Sequence, residues 1–215
     1  MLTRGDNADS LKGANMKTAS ELLEDMGTAV PTPDGVESVA QLWELWGNEW
    51  VEGLTSYDDI YLTMNFHAFN HRALDRMGKN AKPDAMAIVC TGWGAPINPE
   101  TGQLEGADAP SKHPERRRVT LFTVITPRAE VASRVCFGDD EPNDDTEGTG
   151  TGALADGLDA CAVAVWGSEF TSALVMNYAT AKADGAEPAT LARLVSRVEN
   201  VAPLVVDVLE EGEGE

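Results

Sequence analysis

Hydrophobic positions change their spacing several times along this chain, and each change marks an element. Thr18–Met26 is a short amphipathic stretch with helical spacing, Ser20 standing as its N-cap and Gly27 as its stop. Pro31, Pro33 and Gly35 then mark a loop. From Val36 to Leu54 the apolar residues Val39, Trp43, Trp46, Trp50 and Leu54 recur at helical intervals, with Glu37, Glu44 and Glu52 largely off that stripe. This predicts a helix with a tryptophan face. Tyr57–Gly78 reads as a second helix, apolar nearly all round: Ile60, Met64 and Leu74 lie on one side and Leu62, Phe66 and Phe69 on the other. A helix of that kind belongs inside the domain, between the tryptophan helix and a sheet.

The sheet comes from the middle of the chain. Ala85–Thr91, Val119–Thr126 and Val131–Phe137 are three runs rich in β-branched and aromatic residues. Pro127-Arg128-Ala129-Glu130 joins the last two as an antiparallel hairpin. Pairing Thr126 with Val131 puts Phe122 opposite Val135 and Val124 opposite Ser133. Both faces then carry apolar side chains, which suggests a sheet covered on at least part of each side. Trp93–His113 forms a long polar loop, and Gly138–Gly152 a second, acidic one. Helical patterns follow from Ala153 to Trp166, from Ser168 to Asp184 after Gly167, and from Pro188 through Val198, with Pro203 interrupting the chain.

The expected fold class is therefore α+β. It has a small, mainly antiparallel sheet of three strands within 85–137, packed with helices from both the N-terminal and C-terminal parts. Residues 1–16 read as a disordered extension, 17–209 as one domain and 210–215 as an acidic tail. Translation could begin at Met1 or at Met16.

Charge narrows the function classes. The 215 residues carry 36 acidic and 16 basic side chains, a net charge of −20, although the charged fraction of 24% is ordinary. Such imbalance opposes direct contact with nucleic acid or an anionic membrane and makes a partner with a basic surface electrostatically easier; the bland reading of the charge is solubility with no partner at all. Met1–Asn15 lacks the apolar stretch of a signal peptide, and no run reaches the roughly 20 apolar residues of a membrane span. Cys90, Cys136 and Cys161 are odd in number and read as reduced, packed thiols. A cytoplasmic protein is expected.

Three constellations could carry chemistry. His67 and His71 lie one helical turn apart, with Asp75 a further turn on, a spacing that can present metal ligands along one face. The Glu of a His-Glu-x-x-His hydrolase motif is missing, and the bland reading is a pair of packed histidines. Gly148, Gly150 and Ala153 match the G-x-G-x-x-A spacing of dinucleotide sites, but follow an acidic loop instead of a buried strand, so no nucleotide cofactor is predicted. A divalent metal is the one cofactor left open. The third is the cationic run Lys112, His113, Arg116, Arg117 and Arg118 near Trp93, a candidate interaction or anion contact. Strand alternation sends Arg116 and Arg118 to one face and Arg117 to the other, and the bland reading pairs them with the chain's own acids.

Several of these segments occur together in a recognisable order. Thr91-Gly92-Trp93 with Ala95-Pro96, Pro110-Ser111, His113-Pro114 with Arg116-Arg117-Arg118-Val119, Ala132-Ser133 and Gly152-Ala153-Leu154-Ala155-Asp156 together resemble a set of uncharacterised proteins of actinobacteria and their phages. The resemblance implies a bacterial or phage origin, hence a host cytoplasm if phage-encoded, and a patterned loop between the first two strands. No activity comes with it. The leading expectation is a non-enzymatic protein that contacts a basic host protein through its acidic surface, with DNA mimicry as a sharper variant. The rivals are a metal-dependent hydrolase or other small enzyme using His67, His71 and Asp75, and a virion or assembly component.

Overall fold

A computed structural model describes residues 17–29, 39–56, 82–96, 104, 106, 109–137, 143–147 and 153–212. The class is α+β, with six strands where the sequence predicts three. They are β1 (Val39–Trp46), β2 (Glu49–Ser56), β3 (Ala85–Gly94), β4 (Arg117–Ile125), β5 (Val131–Phe137) and β6 (Asn143–Glu147), in the order β2-β1-β3-β4-β5-β6. Every neighbouring pair is antiparallel. Four helices accompany them: α1 (Ala19–Ala29), α2 (Ala153–Trp166), α3 (Ser168–Ala183) and α4 (Pro188–Gly212).

The tryptophan helix expected over Val36–Leu54 is instead the β1–β2 hairpin. Trp46 pairs with Glu49 across a two-residue loop, and Gly47 takes φ +64, a value a side chain disfavours and a hairpin loop of this length needs. Trp43, Trp46 and Trp50 fall at intervals of three and four, which imitates a helix; the Gly47-Asn48 dipeptide is the stronger local signal. Asp84 secures the turn, its Oδ2 accepting the Gly47 N–H at 2.7 Å. The central helix expected over Tyr57–Gly78 lies outside the described residues.

β3 is the middle of the sheet and its first five residues are buried, as a strand covered on both faces must be. On one face Trp43, Ala87, Val89, Phe122, Val124 and Ala132 pack beneath Leu22, Leu23 and Met26 of α1. On the other, Leu42, Met86, Ile88 and Ile125 meet Leu158, Cys161 and Trp166 of α2, Phe170 and Leu174 of α3 and Val201 of α4. Among the described residues the result is three layers, with one helix against one face and three against the other.

Local chemistry sets the helix ends. Thr18, not Ser20, caps α1: Thr18 Oγ1 accepts the Glu21 N–H and Glu21 Oε2 accepts the Thr18 N–H at 2.7 Å, a reciprocal capping box. Gly27 lies within α1, not after it, where a Cβ would come within 3.2 Å of Arg134 Nη1, so its small size permits the approach to β5. α3 ends in a Schellman motif at Gly185, φ +73, with the Ala186 N–H donated to Ala181 O at 2.9 Å. Pro203 lies inside α4, where the sequence predicts an interruption.

The β4–β5 hairpin departs from its expected register by one residue. Ile125 pairs with Val131, Val124 with Ala132 and Phe122 with Arg134. The loop has three residues, not four: Ala129 N–H donates to Thr126 O at 2.9 Å and Thr126 N–H to Glu130 O at 3.1 Å, with Ala129 at φ +58. A type I turn followed by a left-handed residue is the usual three-residue solution. The slip turns every side chain of β5 to the opposite face from the expected one.

This turn is held from both layers. Glu130 Oε2 accepts the Ala19 N–H at the start of α1, and Arg128 Nη2 donates to Lys17 O. From the other side, Asn177 Nδ2 of α3 donates to Arg128 O at 2.9 Å and Arg197 Nη1 of α4 to Ala129 O at 3.1 Å. Arg197 also grips Asp159 of α2 through two nitrogens, at 2.7 and 2.9 Å, and Asp159 is only 2% exposed. Removing one member of such a pair strands the other charge. Asp159→Ala or Arg197→Ala is expected to lose about 3 kcal/mol in urea unfolding, and Asp159→Leu with Arg197→Met together to cost markedly less than their sum.

The capping box predicts a pH effect. The Thr18 backbone N–H, and next its hydroxyl, hold the Glu21 carboxyl below its ordinary 4.5. A lowered pKa contributes stability that is complete above 4.5 and is lost as the pH falls through the folded-state value. Thermal midpoints of the wild type and Glu21→Gln should therefore converge as the pH drops through that window, and a constant gap between them would refute the effect.

Candidate functional site

The cationic run predicted as a contact site lies where β3 ends and β4 begins. Antiparallel pairing sets Trp93 opposite Arg118 and Gly94 opposite Arg117. Before β4 the chain makes a 3-10 turn at Pro110–Lys112 and then a tight turn from His113 to Arg116, closed by the Arg116 N–H on His113 O at 3.2 Å. Pro114 occupies the second turn position, where its fixed φ fits. His113 is buried and its Nδ1 accepts the Glu115 N–H at 3.0 Å. The imidazole thus shapes the turn, and its Nδ1 is committed to the backbone.

Two guanidiniums meet one indole here. Arg116 Cζ lies 5.1 Å and Arg118 Cζ 5.4 Å from the centre of the Trp93 ring, within cation–π range, and Trp93 keeps 37% of its surface exposed. Arg118 Nη2 also donates to the buried Thr91 Oγ1 at 3.3 Å. Each such stack contributes about 0.5–1 kcal/mol at an exposed site. Its larger effect is to restrict side chains that would otherwise sample many rotamers.

Beside the stack lies a cleft of about 740 Å³, lined by Gly94, Ala95, Pro96, Glu115, Arg116 and Arg117. Arg116 and Arg118 share the Trp93 ring, as strand alternation leads one to expect, but Arg116 also meets Arg117 at the cleft, which alternation does not foresee. Arg116 precedes β4, in the turn, so strand alternation does not govern it, and it faces Trp93 while sharing the cleft with Arg117. The sequence-predicted His67, His71 and Asp75 lie outside the described residues. Among the described residues, no three His, Cys, Asp or Glu side chains converge as a metal site.

Two features escape the sequence reading. A second cleft of about 580 Å³ opens between α1 and the β1–β2 turn, with Leu22, Leu45 and Trp50 among its walls. Glu44 is a buried carboxylate, 5% exposed, that accepts the Trp46 Nε1–H at 2.7 Å. Read on a helix, Glu44 is a solvated residue; read on a hairpin identified from Gly47-Asn48, its alternation with Trp43 and Leu45 places it on the opposite, covered face.

Compared with known protein families, with curated proteins and with solved structures, the chain matches none. Residue chemistry must carry the functional argument. Among the described residues no helix is long and apolar enough to cross a membrane. Cys90, Cys136 and Cys161 are not joined in disulfides.

Cys161 is fully enclosed, and burial, followed by the nearby Glu44 charge, pushes its thiol far above the ordinary range. Only the thiolate attacks disulfide reagents. Ellman labelling of the folded protein, followed peptide by peptide, should modify Cys161 no faster than the chain unfolds. Labelling of Cys161 ahead of the half-buried Cys90 and Cys136 would contradict this.

Proposed function

We propose that this protein works by contact with another protein, presenting its acidic surface to a partner with a basic one. The observation that carries this reading is the imbalance of 36 acidic against 16 basic residues at an ordinary total charge density. Position adds support. Glu21 and Glu24 are exposed on α1, and Asp144, Asp145 and Glu147 fall on the edge strand β6, where the sequence predicts only a loop. Acids on regular backbone need less ordering on binding than acids on a loop. Charges along an edge strand also discourage unwanted pairing with another sheet. DNA mimicry, the sharper form of the reading, requires rows of acids on rigid elements. On the phage origin that the resemblance suggests, the partner is a host protein.

The test is capture from the native cell with the tagged full chain, followed by mass spectrometry and binding measurements on the purified partner. The expected partner has a basic surface, leaves the complex as salt is raised, and is displaced by duplex DNA if mimicry applies. Asp144→Asn, Asp145→Asn and Glu147→Gln together should slow association by about tenfold. Recovery of no basic partner, or of a complex indifferent to salt and to these substitutions, would sink the proposal.

A further inference from the structure

We propose that the cleft beside Trp93 is a binding site for a small organic anion, with Arg116 and Arg117 holding the oxyanion of its carboxylate or phosphate group. This goes beyond the acidic-surface reading and does not depend on it. Four observations converge on the site.

First, the guanidiniums are available. In a chain where acids outnumber bases more than twofold, every basic group has abundant intramolecular competitors, yet among the described residues neither Arg116 nor Arg117 is held in an ion pair. Their five N–H donors each, set in a planar fork, match the two oxygens of a carboxylate or phosphate. Second, Arg116 is partly ordered in advance. It stacks on Trp93 while lining the cleft, so part of the entropy of fixing a long side chain is already lost before a ligand arrives. Third, there is room. Arg117 stands opposite Gly94, which has no side chain to fill the space across the strand pair, and the cleft of about 740 Å³ falls within the range of small-molecule sites.

The fourth observation sets the ligand's size and charge. Glu115 shares the lining, so among the described residues two guanidiniums of the lining face one carboxylate, an excess of one positive charge on a molecule of net charge −20. A polyanion such as nucleic acid would meet the repulsion of a molecule with net charge −20 as it extends beyond the cleft. A ligand with a single anionic group, with an apolar or planar body to rest against Ala95 and Pro96, would not.

Calorimetric titration of the full chain at low salt provides the test, using phenyl phosphate, benzoate and inorganic phosphate as probes. Binding of phenyl phosphate or benzoate is expected, and comparison of the two identifies the preferred oxyanion; inorganic phosphate should bind more weakly than phenyl phosphate if the apolar wall contributes. Arg116→Gln and Arg117→Gln should each weaken binding about tenfold. Arg116→Lys, which keeps the charge but loses the fork and the stack, should weaken it nearly as much. Glu115→Gln should strengthen it, whereas Glu169→Gln on α3, the same change in net charge, should not. The proposal is overturned if no probe binds the folded protein at millimolar concentration, if the arginine variants bind like the wild type, or if Glu169→Gln has the same effect as Glu115→Gln. None of these outcomes bears on capture of a basic protein, so the two readings stand or fall separately.

Discussion

The hairpin turn from Thr126 to Glu130 is the constraint on which the layers of this protein depend. A tight turn exposes carbonyls that its own strands cannot use, and here two of them accept side chains from helices on one face: Asn177 at Arg128 O and Arg197 at Ala129 O. The next residue, Glu130, reaches the first backbone N–H of α1 on the other face. One loop thereby positions both helical layers against the sheet. Ala129 remains in a left-handed conformation that alanine disfavours, because burial, the turn hydrogen bond and Arg197 together determine it. Arg197 extends the constraint to α2 through the buried Asp159, so α2, α4 and the turn share one charged pair with little access to water.

Strand β4 connects this clamp with the candidate site. Ile125 ends the strand at the clamp and Arg117 begins it at the cleft, eight residue steps apart by number, or about 26 Å along an extended chain. The two ends serve different physical needs. At the clamp, the turn carbonyls of Arg128 and Ala129 are taken up by Asn177 and Arg197, and the Asp159 carboxylate is buried against Arg197. At the cleft, Arg116, Arg117 and Trp93 remain in contact with solvent, and the hydrogen-bonding of the turn before them is completed by His113 and the backbone. A surface poised in this way can exchange water for a ligand without disturbing the core, since its guanidiniums do not hold the fold together.

Charge has opposite meanings in the two places where function is proposed. Over the molecule as a whole it is long-ranged and negative, which speeds encounter with basic surfaces and is weakened by salt. In the cleft it is short-ranged and positive, and acts through hydrogen-bond geometry as much as through Coulomb attraction. An acidic protein carrying a small cationic cleft discriminates against large anions while accepting small ones, because repulsion accumulates with ligand size and the local attraction does not.

Much of the architecture was legible without coordinates. The β3, β4 and β5 runs announce themselves by β-branched residues flanked by turn formers, and α2 and α3 by helical spacing on either side of Gly167. The Arg116–Arg118 run beside Trp93 was legible as a cluster of chemistry, because charge and aromaticity belong to residues irrespective of fold. Tertiary structure decided what spacing leaves ambiguous. Trp43, Trp46 and Trp50 satisfy a helical period by coincidence, and only pairing of β1 with β3 makes Glu44 a buried carboxylate. An acidic stretch becomes β6 because β5 offers it a row of backbone partners, which outweighs the poor strand propensity of Asn and Asp. The hairpin register, the meeting of Arg116 with Arg117 in one cleft and the clamp at Ala129 depend on single-residue differences in loop length and on contacts between groups up to 111 positions apart. Residue type is local and could be read from the chain; the partner of a buried polar group is chosen by packing, and only the folded molecule contains it.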